Sequence, residues 1–136
     1  MAYTKLKGYR AEEIVFVNKK TNNSPMEIQT KYSYNVKYTN TGTCRGELTV
    51  EVNDKSEPDV FKLRVMFSGL FEFTDAPKEV LHKETFNTLF PYLRSLVTTI
   101  TANSGIMPII LPIMDIESQS IYKIEKNENW KDNLNG

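Results

Sequence analysis

The spacing of apolar residues predicts an α+β fold, in which an antiparallel sheet is built first and helix follows. Apolar side chains recur at every second position in several runs up to Phe73, and beyond Pro77 the spacing shifts to three and four. A length of 136 residues suits one domain with one core. That domain is expected over residues 1–126, with the Asn-rich, charged segment 127–136 as a disordered tail apart from Trp130.

The segment 6–17 predicts the first strand, bulged around Ala11-Glu12-Glu13 because its alternation is imperfect there. Ile28, Thr30, Tyr32, Tyr34, Val36 and Tyr38 then alternate with polar residues, as do Leu48, Val50 and Val52, and Thr41-Gly42-Thr43 supplies the turn between the two runs. A second turn at 53–58 leads into the longest run. There Phe61, Leu63, Val65, Phe67, Gly69, Phe71 and Phe73 share one face, with Gly69 expected to mark a bend.

Asp75-Ala76-Pro77 reads as a helix start, and Pro91 either starts a second helix or kinks the first. Leu93, Leu96, Val97 and Ile100 recur at helical spacing, and the helix is expected to stop near Asn103-Ser104-Gly105. Thr98, Thr99 and Thr101 are mediocre helix formers, so this stretch is expected to pack rather than face water. Burial against the sheet and a subunit interface both satisfy that expectation. Leu93, Leu96, Val97, Thr98, Ile100 and Thr101 are the candidate interface residues.

Residues 106–114 are all apolar, too few to cross a bilayer, and Pro108 and Pro112 exclude a helix or a central strand. The strip must be extended. It can close over the core, or it can wall a groove that receives other apolar chains, a use to which the adaptable Met107 and Met114 are suited. A short amphipathic segment follows at Ile121, Tyr122 and Ile124.

Lysine plus arginine equals aspartate plus glutamate, 17 against 17, so no net field recruits nucleic acid or an anionic membrane. The lone Cys44 leaves no internal disulfide or thiolate metal site, and no secretory leader is visible, so a cytoplasmic protein is expected and Asn22-Asn23-Ser24 is read as accidental. Catalysis is not expected. The single histidine, His82, is placed in a surface turn, Cys44 in a turn beside Arg45, and the acidic residues show no converging spacing for a metal. No glycine-rich phosphate loop occurs, so no cofactor is expected. Tyr32, Tyr34 and Tyr38 could stack on bases, but Lys31 and Lys37 fall on the opposite face, which favours core or interface tyrosines.

Leu89-Phe90-Pro91-Tyr92, the helix after it, Gly105 and the apolar strip together resemble the most characteristic stretch of the SecB family of export chaperones. Gly69-Leu70-Phe71 and Tyr9-Arg10-Ala11-Glu12-Glu13-Ile14-Val15-Phe16 match that family in order and spacing, so the likeness covers roughly residues 5–125. The resemblance implies a four-stranded antiparallel sheet with two helices packed on one side, assembling as a dimer of dimers. It also implies an ATP-independent holdase for unfolded or precursor polypeptides, with delivery to the SecA motor. The groove residues it suggests are Phe71, Phe90, Tyr92, Met107, Ile109, Leu111, Ile113, Met114, Ile121 and Tyr122. Of the positions matching the family's acidic SecA-facing surface, Glu13 keeps the charge while Val17 and Arg64 do not, which puts SecA handover in doubt. A chaperone dedicated to one client, such as an antitoxin, and a non-catalytic small-molecule-binding domain remain as alternatives.

Overall fold

The computed structural model describes residues 2–20 and 26–112. Four strands, β1 (Thr4–Asn18), β2 (Ile28–Tyr38), β3 (Thr43–Asp54) and β4 (Phe61–Phe73), precede one helix, α1 (Lys78–Ala102). All pairs are antiparallel and the order is β1-β4-β3-β2, so a meander of three strands receives the first strand at its outer edge. The turn between β2 and β3 contains Gly42 at φ 77°, a left-handed conformation that glycine adopts without steric cost.

The period-two pattern becomes a buried face. Tyr34 pairs with Leu48 and Leu48 with Phe67, and all three lie beneath the helix. In β1 the register slips between Leu6 and Gly8 and again between Ala11 and Glu13. Each slip switches the inward parity, so Leu6, Tyr9, Ala11, Ile14 and Phe16 all sit opposite inward positions of β4 despite their uneven spacing. The bulge expected at residues 11–13 is therefore present, and a second one precedes it.

Four features seat α1 and its C-terminal end on the sheet. Gly46 pairs with Gly69 across β3 and β4, and a Cβ at either position would press on Leu89, which fills the hollow they leave. Gly69 thus permits a close approach of the helix, in a stretch that pairs with both neighbouring strands. At one end the Glu84 carboxylate accepts the backbone N–H groups of Tyr3 (3.0 Å) and Thr4 (2.6 Å) as well as the Thr4 hydroxyl. In the middle the Tyr34 hydroxyl donates to Thr85 Oγ1 at 2.6 Å, and at the far end Asn18 Nδ2 donates to the Ser104 carbonyl at 3.4 Å. Phe86, Leu89, Leu93 and Val97 are fully buried along this contact, each worth about 1.5–3 kcal/mol relative to exposure.

The described residues hold one helix where two were expected. Pro91 lies inside it, neither starting nor ending a helix. The lost hydrogen bond leaves the Asn87 carbonyl without its usual donor, and since Asn87 and Pro91 are both exposed, water can take that donor's place. The segment with Ile121 and Tyr122 and the whole span 113–136 lie outside the described residues.

Two polar placements also differ from expectation. His82 is a buried helix residue, edge-on to Tyr34 at 5.0 Å between centroids, because its position shares the inward face of α1 with Phe86. Cys44 is an inward residue of β3, and burial pushes its thiol up to about 11, so Arg45 on the opposite face does not activate it. At the far end of the sheet Lys20 Nζ lies 2.9 Å from the fully buried Asp54 carboxylate, tying the end of β1 to the β3–β4 turn.

Candidate polypeptide-binding surface

The apolar strip after α1 turns back at Gly105, where φ is +87°, and runs extended along the helix that precedes it. Its main chain is caught by side chains of α1. Thr98 Oγ1 donates to the Ile109 carbonyl (2.9 Å), Thr101 Oγ1 accepts the Ile109 N–H (2.8 Å), and Arg94 Nε donates to the Leu111 carbonyl (2.5 Å). The threonines that make a poor helix thus serve as main-chain partners for the strip. Ile109 packs on the core and Leu111 enters it at 2% exposure, whereas Met107 (85%) and Ile110 (64%) face outward. With Ile106 also packed on the core, the strip is a surface of exposed apolar area on a fixed base.

A second exposed apolar region lies where β1 meets α1. Tyr92 stacks on Tyr9 with centroids 4.2 Å apart and planes at 24°, and Tyr9 also touches Phe67 at 5.5 Å. Tyr3, Tyr9, Ile14 and Tyr92 are all exposed, because α1 covers the inward positions of β3 and β4 and leaves those of the edge strand partly open. An aromatic pair at such a margin offers large rigid contact area at small entropic cost.

The outer face of the sheet is charged but internally matched. Arg64 places Nη1 2.6 Å from Glu13 and Nε 3.2 Å from Glu51. Glu12 accepts from Arg10 at 2.9 Å, from Arg45 at 2.5 Å and from Ser68 at 2.7 Å, and these partners hold its carboxyl below the usual range, the Ser68 bond foremost. No group of three or more metal-ligating side chains gathers among the described residues, and none of their helices is long and apolar enough to cross a membrane.

A family model described as preprotein translocase subunit SecB matches residues 10–129. The chain belongs to the SecB family. It is 30% identical over 88 residues to the protein-export protein SecB of Afipia carboxidovorans, covering 60% of this chain and 55% of that one. With the SecB of Methylobacillus flagellatus the identity is 29% over 91 residues, covering 63% and 57%. The chain thus spans little more than half the length of these SecB relatives. In fold it is similar to the SecB-like chaperone Rv1957 of Mycobacterium tuberculosis, solved in complex with a ChAD peptide from the HigA1 antitoxin. That similarity has a TM-score of 0.68 at 14% identity, over 82% of this chain and 91% of that one.

The residues expected to contact a SecB client fall into three groups. Tyr92 and Met107 are exposed and Ile109 is partly buried. Phe71, Phe90 and Leu111 are core residues, because their positions share the inward faces of β4, α1 and the strip, so they present no surface. Ile113, Met114, Ile121 and Tyr122 lie outside the described residues. Of the helix residues expected at a subunit interface, Leu93, Val97 and Thr101 are buried within the chain itself, while Leu96, Thr98 and Ile100 stay partly exposed. Glu13 and Arg64 are paired with one another on the outer face, and Val17 is partly buried at the edge. Sequence reasoning missed Tyr9, Ile14 and Ile110. Ile110 lies within the strip already singled out, but the exposure of Tyr9 and Ile14 depends on which strand forms the edge, and no local pattern encodes that.

Proposed function

We propose that this chain is an ATP-independent holdase that binds non-native polypeptides through exposed apolar surface. Membership of the SecB family supports the reading, and the observation that carries it to particular residues is the outward row of Met107 and Ile110 on an extended strip anchored to α1. Apolar and aromatic side chains of a client bury against that row and against Tyr9 and Tyr92, and no bond is made or broken. The test is suppression of aggregation of a chemically unfolded protein. Met107→Ser with Ile110→Ser should weaken holding several-fold with unchanged unfolding midpoint, since both side chains are already in water. Equal holding by wild type and double variant would remove these residues from the function. Leu111→Ser is a different experiment, because that side chain belongs to the core.

A dedicated-client version is favoured over general export by Arg64, which meets Glu13 and Glu51 and so offsets one of two carboxylates, reducing on this part of the outer face the negative excess that a basic SecA surface would seek. Weak or undetectable SecA binding is the expected outcome. The proposed assembly is a dimer of dimers, using Leu96, Thr98 and Ile100 with the open margin of β1, and sedimentation at micromolar concentration tests it; a clean monomer refutes the assembly.

A further inference from the structure

The means by which the strip is held defines a ligand. Between Gly105 and Pro112 the described chain makes no backbone-to-backbone hydrogen bond, and its fixation rests on Arg94, Thr98 and Thr101. All three address main-chain atoms, which every polypeptide carries. Side-chain selectivity enters through Ile106, Ile109 and Leu111, which pack on the core, the last two turning inward two positions apart as alternate residues of an extended segment do. Gly105 gives the strip a free pivot, for no atom lies within 4 Å of where its Cβ would be.

We propose that the ridge Arg94–Thr98–Thr101 is a binding site for the extended main chain of an apolar peptide, filled in the unladen protein by residues 106–112, and that a client segment with apolar residues at alternate positions takes their place. The inference deepens the holdase reading and rests on it. Exchange is balanced in kind: Leu111 and Ile109 leave the seam, client side chains of similar size enter, and the three side chains of α1 bond one main chain or the other. The client's apparent affinity is then its intrinsic affinity multiplied by the fraction of molecules in which the strip is displaced. Weakening the occupant while sparing the ridge should therefore tighten client binding.

The probes are a fluorescent peptide of this chain's own residues 105–112 and an unfolded client, both titrated by anisotropy against the full chain. Leu111→Ser removes the deepest anchor of the strip and should tighten both probes at least about tenfold, given what a buried leucine contributes. Ile109→Ala is the milder variant should Leu111→Ser fail to fold. In either background Thr98→Val should weaken the labelled peptide about fivefold, the worth of one hydrogen bond, and Thr98→Ser should restore it. The client must also displace the peptide. Unchanged or weaker binding by a folded strip variant, or simultaneous binding of both probes, overturns the exchange and leaves the holdase reading standing. If no form of the protein holds a client, the holdase reading fails, and the labelled peptide still decides whether the ridge binds an extended chain.

Discussion

Gly69→Ala should destabilise the protein through a single contact. A Cβ at that position would lie 3.2 Å from both Cγ and Cδ1 of Leu89 and closer still to Cδ2, inside the roughly 3.5–4 Å at which carbons attract. Leu89 is fully buried and meets the added atom with both branches, so rotation about one bond does not clear it. The helix must lift or the leucine must leave its rotamer, and overpacking of this kind costs about 1–3 kcal/mol. Leu89→Ala alone opens a cavity and costs about 2–5 kcal/mol. In the double variant the new methyl group partly fills the space the leucine vacated, so the two costs should fall short of additivity by about 1–2 kcal/mol. Urea unfolding of the four proteins measures this, provided the m-values agree. Additive costs, or a neutral Gly69→Ala, would show that α1 is not seated on the glycine pair. Client affinity should fall with Gly69→Ala as well, because α1 carries Tyr92 and the residues that hold the strip.

Burial of His82 lowers its pKa to about 4, so the unfolded chain, titrating near 6.5, binds the proton first. Its contribution is complete above about pH 6.5 and lost by about pH 4, up to roughly 3 kcal/mol, and His82→Asn should flatten that part of the stability profile; an unchanged slope would place the proton uptake elsewhere. Arg64→Glu breaks the links to Glu13 and Glu51 and should cost about 1 kcal/mol at low salt and less at high salt; combined with Val17→Glu it should strengthen SecA binding, and tight, salt-sensitive binding by the wild type would contradict the assignment. Lys20→Met strands the buried Asp54 carboxylate, whose pKa the Lys20 bond lowers. Its instability relative to wild type should be largest at neutral pH and shrink as acid protonates Asp54, and a gap independent of pH would refute the pairing.

The four strands could be read from the sequence because each has one covered face, so Tyr34, Leu48 and Phe67 declare their side by period alone. The irregular spacing of β1 even disclosed a bulge. Pairing order was less accessible, since nothing local says that β1 joins β4 rather than β2, and the exposure of Tyr9 and Ile14 follows from that choice. His82, between Leu81 and Lys83, misled because the helical period that buries it spans several turns and is not visible from its immediate neighbours. Likewise Thr98 and Thr101 signalled a packed face, whereas Thr99 faces water, and they did not name the occupant, because their hydroxyls bind a main chain that carries no sequence signature.

The sheet order also sets a schedule for biosynthesis. β1 leaves the ribosome before β2, β3 and β4, yet its partner among the described strands is β4: Asn18 waits for Phe61 and Thr4 for Phe73. At ordinary elongation rates that wait lasts seconds, during which a strand carrying Leu6, Tyr9, Ile14 and Phe16 has no mate of its own. Once β4 arrives, the two bulges that reset the parity of β1 also interrupt the regular edge that a stray strand would copy on the finished sheet.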